Sequence, residues 1–257
     1  MKNNYVLITG ASSGIGKEMA KIYAQKGHNL ILVARRIEIL EELKNEYSNL
    51  DIHILQKDLA NIACCQEIYE YTQDKGLFVE TLINNAGVGL FGDFIETDLE
   101  RELSMINLNI SSLISLTKLY LVNMKKENRG QILNVSSVAS FMPGPKMSVY
   151  YATKAFVTSF TNALSHELKD TNIKVSILAP GATSTGFVKS SNLENSKLFD
   201  NMRVQSAETV AKYALDNLGE RLIIPGVLNK LSVFSTRFVP TKIMMYFVEK
   251  IQQRKDK

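Results

Sequence analysis

Six short apolar runs rich in Val, Ile and Leu, at residues 5–9, 29–34, 52–55, 80–84, 131–135 and 173–178, alternate with segments whose apolar residues recur at helical spacing, such as 14–26, 37–47 and 207–218. No other feature of the chain restricts its fold so strongly. A run that is apolar at nearly every position has no solvated face, so each strand must be covered on both sides, and the intervening helical segments supply the cover. The expected architecture is a three-layer α/β/α domain with a doubly wound parallel sheet and right-handed crossovers. At 257 residues the chain is long enough for one well-buried domain, and no repeat, low-complexity run or linker divides it, so a single domain over 1–257 is expected. In such sheets ligands bind beyond the carboxyl ends of the strands.

Several functions are disfavoured early. The N-terminus MKNNYVLITG runs straight into an apolar strand pattern without the charged and small residues of a signal peptide. No stretch is expected to reach the roughly 18 apolar residues of a membrane span, and a cytoplasmic location follows as the expectation. Cys64 and Cys65 are adjacent, and His28, His53 and His166 are scattered, so neither a disulfide framework nor a metal site is anticipated. Residues 221–257 hold eight Lys/Arg against two Asp/Glu, a net of +6, whereas the whole chain is +4; the preceding 220 residues therefore sum to −2. Basicity belongs to the tail alone, which argues against nucleic acid as a partner.

The first strand ends in VLITGASSGIGKEMAKIYA, where Gly10, Gly14 and Gly16 sit in a strand-to-helix turn with Ser12, Ser13 and Ile15 between them. Missing Cβ atoms let a pyrophosphate approach the backbone, and the helix N-terminus offers N–H groups. Four more motifs follow in chain order: LINNAGVG at 82–89, NISSLISLTK from Asn109, ILNVSSVAS at 132–140 with SVYYATKAF at 148–156, and LAPGATSTGF at 178–187. Together they resemble the short-chain dehydrogenase/reductase family over most of residues 5–187, which implies a Rossmann-type fold.

The resemblance implies a set of roles. Asn85, Ala86 and Gly87 correspond to a turn that stabilises the sheet beside the adenosine. Asn109, with Asn107 as the competing position, corresponds to the active-site asparagine; Ser137, better placed than Ser136, to the catalytic serine; Tyr150 and Lys154 to the reacting phenol and its lysine. Pro180, Gly181, Thr183 and Thr185 correspond to the turn that embraces the nicotinamide. Tyr151, about 100° further round the helix, is expected to pack or to contact a neighbouring subunit. A free phenol has a pKa near 10, and a Lys⁺ beside Tyr150 is expected to lower it into a useful range. The implied activity is hydride transfer between NADP(H) and a small-molecule carbonyl or alcohol substrate; the alternative is a cofactor-binding regulatory protein without catalysis.

NADP(H) is expected over NAD because LILVARRIEIL places Arg35 and Arg36 where an acidic residue would bind the ribose hydroxyl, and a guanidinium can pair with a 2′-phosphate. The alternative is that one of the two is a solvated helix start, a role that would fall to Arg36 before Arg35. Asp58, followed by Leu59 in KDLAN, is either an adenine-binding residue or an N-cap. Residues 183–206 form the expected substrate lid, with Phe187, Val188, Leu193, Leu198 and Phe199 suiting an apolar or amphipathic substrate. The tail 221–257 has helical apolar spacing and is expected to close the cleft or make a subunit contact, with a membrane surface as the lesser alternative. A homodimer or homotetramer built on the long helices beginning near Leu99 and Met147 is implied by the resemblance.

Overall fold

The computed structural model describes residues 4–196 and 204–253. The six apolar runs become β1 (Asn4–Thr9), β2 (Asn29–Ala34), β3 (Ile52–Gln56), β4 (Phe78–Asn84), β5 (Gly130–Val135) and β6 (Ile173–Leu178). A separate two-residue ladder pairs β7 (Thr183–Ser184) with β8 (Gln205–Ser206), and β9 (Leu222–Ile223) joins the main sheet. That sheet is parallel throughout, in the order β3-β2-β1-β4-β5-β6-β9. The order reverses between β1 and β4, and this switch point opens the crevice in which such sheets bind ligands.

The strands are apolar at successive positions because both faces are covered. Leu7 and Ile31 point to one layer while their neighbours Ile8 and Leu32 point to the other, and all four are fully buried. On the Ile8 side lie α1 (Gly14–Gln25) and α2 (Ile37–Glu46), together with α8 (Ala207–Asp216), contributing Met19, Leu40 and Val210. Against Leu7 pack α3 (Ala63–Asp74), α5 (Ser112–Glu127) and α6 (Ser148–Glu167), through Ile68, Leu116, Tyr120 and Leu164. Truncating one of these central leucines to alanine costs about 2–5 kcal/mol.

A polar ladder crosses this apolar interior. Asn84 at the end of β4 donates to Thr117 Oγ1 of α5 at 3.0 Å and to Asn134 Oδ1 of β5 at 2.9 Å, and Asn134 donates to Thr161 Oγ1 of α6 at 3.0 Å. All four residues are buried. The two helices on this face are thus pinned to the sheet by side-chain hydrogen bonds as well as by packing.

Helix α4 (Leu99–Ile106) begins with Asp98 accepting a hydrogen bond from Arg101 N, and runs into α5 through a π turn at Asn107–Ser111. By length and composition Leu99–Glu127 is apolar enough to cross a membrane, with a mean hydropathy of 1.3 over its best window. The expectation that no stretch reaches this level is therefore corrected. Its apolar character has a local cause, since Leu116, Tyr120 and Met124 fill the core beneath the sheet. The chain closes with the short α7 (Phe187–Ser190) in the lid, and with α9 (Val227–Ser235) and α10 (Thr241–Ile251) in the tail.

Candidate active site

A cavity of about 600 Å³ lies over the carboxyl ends of the strands. Its lining follows the sheet order, from Asp58 after β3, through Arg35 and Arg36 after β2 and the glycine-rich turn after β1, to Asn85–Gly87, Ser137, Tyr150 and Lys154.

The glycine turn is shaped for close approach. A Cβ at Gly16 would fall 2.4 Å from Asn85 Nδ2 and 2.6 Å from Gly10 O, so this crossing of two turns excludes any side chain. Asn85 staples them, donating to Thr9 O at 2.9 Å and to Gly10 O at 3.3 Å, while its own N–H and that of Ala86 donate to Thr9 Oγ1 at 3.0 Å. At the start of α1, Ser13 makes no side-chain capping bond and the first turn carries no acidic residue. The first N–H groups of a helix have no intrahelical partner, so this end is suited to an anion. These residues fit a dinucleotide.

The two arginines stand at the far end of the cavity. Arg35 pairs with Asp58 at 3.8 Å, both exposed, and Arg36 reaches back to donate to Ser12 O and Ser12 Oγ at 3.3 Å. Arg36 occupies the exposed position before α2, and its guanidinium is folded back over the glycine turn. Asp58 accepts from Ala60 N at 3.0 Å, while the residue capping α3 is Ile62; Asp58 therefore closes a turn ahead of the helix and does not cap it. Leu59 is buried, and its carbonyl accepts from Ser112.

At the other end the π turn delivers Asn109 into the interior, 1% exposed. Its Oδ1 accepts from Val88 N at 3.0 Å, and its Nδ2 donates to Val88 O at 2.9 Å and to Thr153 Oγ1 at 3.0 Å. Asn107 stays half-buried, its carbonyl accepting from Ser112. Gly87 lets two groups converge, because a Cβ there would lie 3.2 Å from Asn109 Oδ1 and 3.3 Å from Lys154 Nζ. Lys154 donates to Val135 O at 2.9 Å, and Nζ stands 6.0 Å from the centre of the Tyr150 ring. Ser136 is turned into the packing of α6, hydrogen-bonded to Lys154 O and Thr158, whereas Ser137 faces Tyr150 and accepts from Ala139 N at 3.1 Å.

The electrostatics differ from the sequence expectation. Burial pushes the Tyr150 phenol up to about 12, opposed only by its hydrogen bond with Ser137. Burial likewise pulls Lys154 down to about 8. The lysine does not lower the tyrosine. Both groups are removed from water, and desolvation penalises whichever form is charged.

The proline-glycine turn after β6 and the lid close this end. Val138 N donates to Pro180 O at 3.0 Å, Thr183 Oγ1 to Gly181 O at 2.9 Å, and Phe187 N to Thr185 Oγ1 at 3.2 Å. The Phe187 ring lies 5.3 Å from that of Tyr150. Ser191 fastens the lid by accepting from Gly89 N at 3.0 Å, and Leu193 is buried beneath it. Leu198 and Phe199 lie outside the described residues.

Among the lining residues that sequence reasoning missed, Gln252 is the most distant in sequence. Met244 and Val248 of α10 pack in the same cluster as Tyr150, Tyr151 and Leu193, and this brings Gln252 into the cavity wall. Gln252 is fully buried and donates from Nε2 to Tyr151 Oη at 2.6 Å, with Met147 Sδ at 3.8 Å. Tyr151 is thereby a packed, hydrogen-bonded residue. The spacing of 244, 248 and 252 on one helical face was visible in the sequence; the partner 101 residues away was not.

A nucleotide-shaped cavity at the switch point, with a serine, a tyrosine and a lysine meeting at its inner end, defines an oxidoreductase of the short-chain dehydrogenase family, and the chain belongs to that family: its model, described as short chain dehydrogenase, matches residues 4–196. Among relatives, the 17-beta-hydroxysteroid dehydrogenase type 3 of Mus musculus is 32% identical over 97% of this chain and 85% of its own length. Among solved structures, a 7beta-hydroxysteroid dehydrogenase superposes with a TM-score of 0.85 at 26% identity, covering 95% of this chain and 96% of the other. A short-chain dehydrogenase from Sphingobium yanoikuyae in complex with NADPH does so with a TM-score of 0.81 at 29% identity, covering 99% and 98%.

Proposed function

We propose that this chain is an NADP(H)-dependent reductase of apolar or amphipathic ketones and aldehydes, acting also on the corresponding alcohols. The observation that carries this reading is the meeting of Ser137, Tyr150 and Lys154, with Asn109 behind them at Gly87, at one end of a cavity whose other end holds two guanidiniums. The glycine turn and the start of α1 would hold the pyrophosphate; Arg35 and Arg36 would hold the 2′-phosphate, a group a carboxylate there would repel. Bound at this site, the cofactor supplies the hydride, and the protein orients and polarises.

The chain's own groups divide the remaining work. Ser137 accepts a hydrogen bond from Ala139 N and shares its single O–H with Tyr150, and that O–H would turn to a substrate carbonyl oxygen placed between them. Tyr150, in its acid form at neutral pH and made a weaker acid by burial, gives its proton to the alkoxide oxygen as charge develops there. Lys154, with its pKa brought near 8, exchanges protons close to physiological pH and can restore the tyrosine. Asn109 has both N–H groups engaged, so a water linking Lys154 to solvent would use the remaining lone pair of Oδ1. The relatives named for hydroxysteroids, and Phe187 over the phenol, support an apolar substrate.

The test is loss of NADPH absorbance with a panel of ketones and aldehydes, beside Tyr150→Phe and Tyr151→Phe. Tyr150→Phe should lower turnover by at least about 10²-fold and keep NADPH affinity. Tyr151→Phe should do far less. NADPH binding without turnover of any carbonyl compound would instead identify a cofactor-binding regulatory protein.

A further inference from the structure

The cavity contains a polar group that the reaction does not use. Gln252 is 0% exposed, yet its Oε1 has no hydrogen-bond partner, while Nε2 is occupied by Tyr151 and Met147. An unpaired buried carboxamide oxygen costs about 1–3 kcal/mol. The cost is not needed for packing, since a methionine would fill the same volume. We propose that Gln252 is a binding subsite for a second polar function of the substrate, a hydroxyl remote from the reacting carbonyl. The inference rests on the carbonyl-reductase reading and sharpens it to hydroxylated, otherwise apolar, carbonyl compounds.

The geometry supports this class. Gln252 reaches the site through Tyr151, whose ring centre is 6.1 Å from that of Tyr150, so the carboxamide lies beyond the reacting phenol along an apolar wall of Met147, Phe187 and Leu193. A carboxamide turned by 180° would accept from the Tyr151 hydroxyl and present its NH₂ to the cavity. A hydroxyl, both donor and acceptor, satisfies either end. A site whose buried polar group goes unpaired in the absence of that hydroxyl discriminates by affinity.

Calorimetry decides it, using the whole protein saturated with NADP⁺ and alkanones bearing a hydroxyl at successive chain positions, each beside its deoxy parent. One hydroxylated member should bind about tenfold more tightly than its parent, and Gln252→Met should reduce that ratio to about one. Equal affinities for every pair in the wild-type protein would overturn the subsite, whether or not the variant folds. A hydroxyl preference unchanged in folded Gln252→Met would do the same. Turnover of the same compounds with NADPH is read separately, so failure of the reductase reading is distinguishable.

A different observation carries a second inference. While α10 turns Met244, Val248 and Gln252 inward, the tail helices and the segment joining them present Leu228, Leu231, Phe234, Phe238, Ile243 and Phe247 outward, each 49–71% exposed. Arg237, Lys242 and Lys250 of the same segment are exposed, within a tail whose sequence carries a net +6. A two-fold contact between copies through this face would set Arg237, Lys242 and Lys250 of each copy against like charges of the other. We infer that the face rests on an anionic lipid surface, with the aromatic and leucine side chains among the acyl chains and the long basic side chains reaching the headgroups. Full-length protein should sediment with phosphatidylcholine vesicles containing phosphatidylglycerol and not with phosphatidylcholine alone. The exposed-site variant Phe234→Glu/Phe238→Glu should stay in the supernatant. Absence of sedimentation with either vesicle, or a dimer in solution that the same variant makes monomeric, would overturn it.

Discussion

At the scale of single residues, Tyr150 and Lys154 are displaced in opposite senses by one cause. Each is buried and each is easier to keep neutral there. For Lys154 the folded value of about 8 lies below its ordinary 10.5, so between these two values the unfolded chain binds a proton that the native chain has released. Stability contributed through this residue therefore rises with pH over that window and is constant below it. Relative to Lys154→Met, the wild-type protein should gain about 3 kcal/mol of unfolding free energy between pH 8 and pH 10.5, measured by urea denaturation. A gap independent of pH would contradict the buried-amine account. Tyr150 has a kinetic consequence. Reduction draws on a phenol already protonated at neutral pH, whereas alcohol oxidation needs the phenolate. The kcat/KM for oxidation should climb about tenfold per pH unit through pH 9–10 without a plateau, and a plateau below pH 9 would mean the phenol is more acidic than its burial dictates.

Secondary-structure elements were unevenly legible. The six long strands could be read because each is buried on both faces, a condition that leaves a continuous apolar run. The starts of α1 and α2 could be read from the glycine turn and from the end of the apolar run at Ala34. The π turn could not, because a phase slip confined to Asn107–Ser111 is too short for a periodicity test to detect; within it Asn109 bonds Val88 in both directions. Nor could β9, whose two residues pair only because Leu222 and Ile223 reach β6. The loop after β2 shows both outcomes. An arginine pair was visible there, but their division of labour depends on Ser12 and Asp58, contributed by other turns. Arg36→Ala should weaken NADPH binding by about 1.5–3 kcal/mol with little change for NADH. Equal losses with both nucleotides would assign Arg36 to holding the glycine turn in shape.

For the whole molecule, a ligand that spans the switch point should act on stability as one unit. NADPH at 100 times its dissociation constant should add about 2.7 kcal/mol, a rise of about 5–10 °C in Tm for a chain of this size. NADH at the same concentration should give a smaller shift, and equal shifts would remove the case for a 2′-phosphate site. The tail was legible as helical but its two faces were not, since the apolar stripe alone does not say which residues meet the cleft. The ladder from Thr117 through Asn84 and Asn134 to Thr161 has a consequence for how such a protein changes over generations. It sets the alignment of the helix that follows Asn109 with the helix that carries Tyr150 and Lys154, and it does so at the centre of the sheet, with no contribution from the lid or the tail. Substitutions along Phe187, Leu193 or Gln252 can therefore retune what enters the cavity while the reacting groups keep their relative positions, and new specificities can arise one neutral step at a time at the rim.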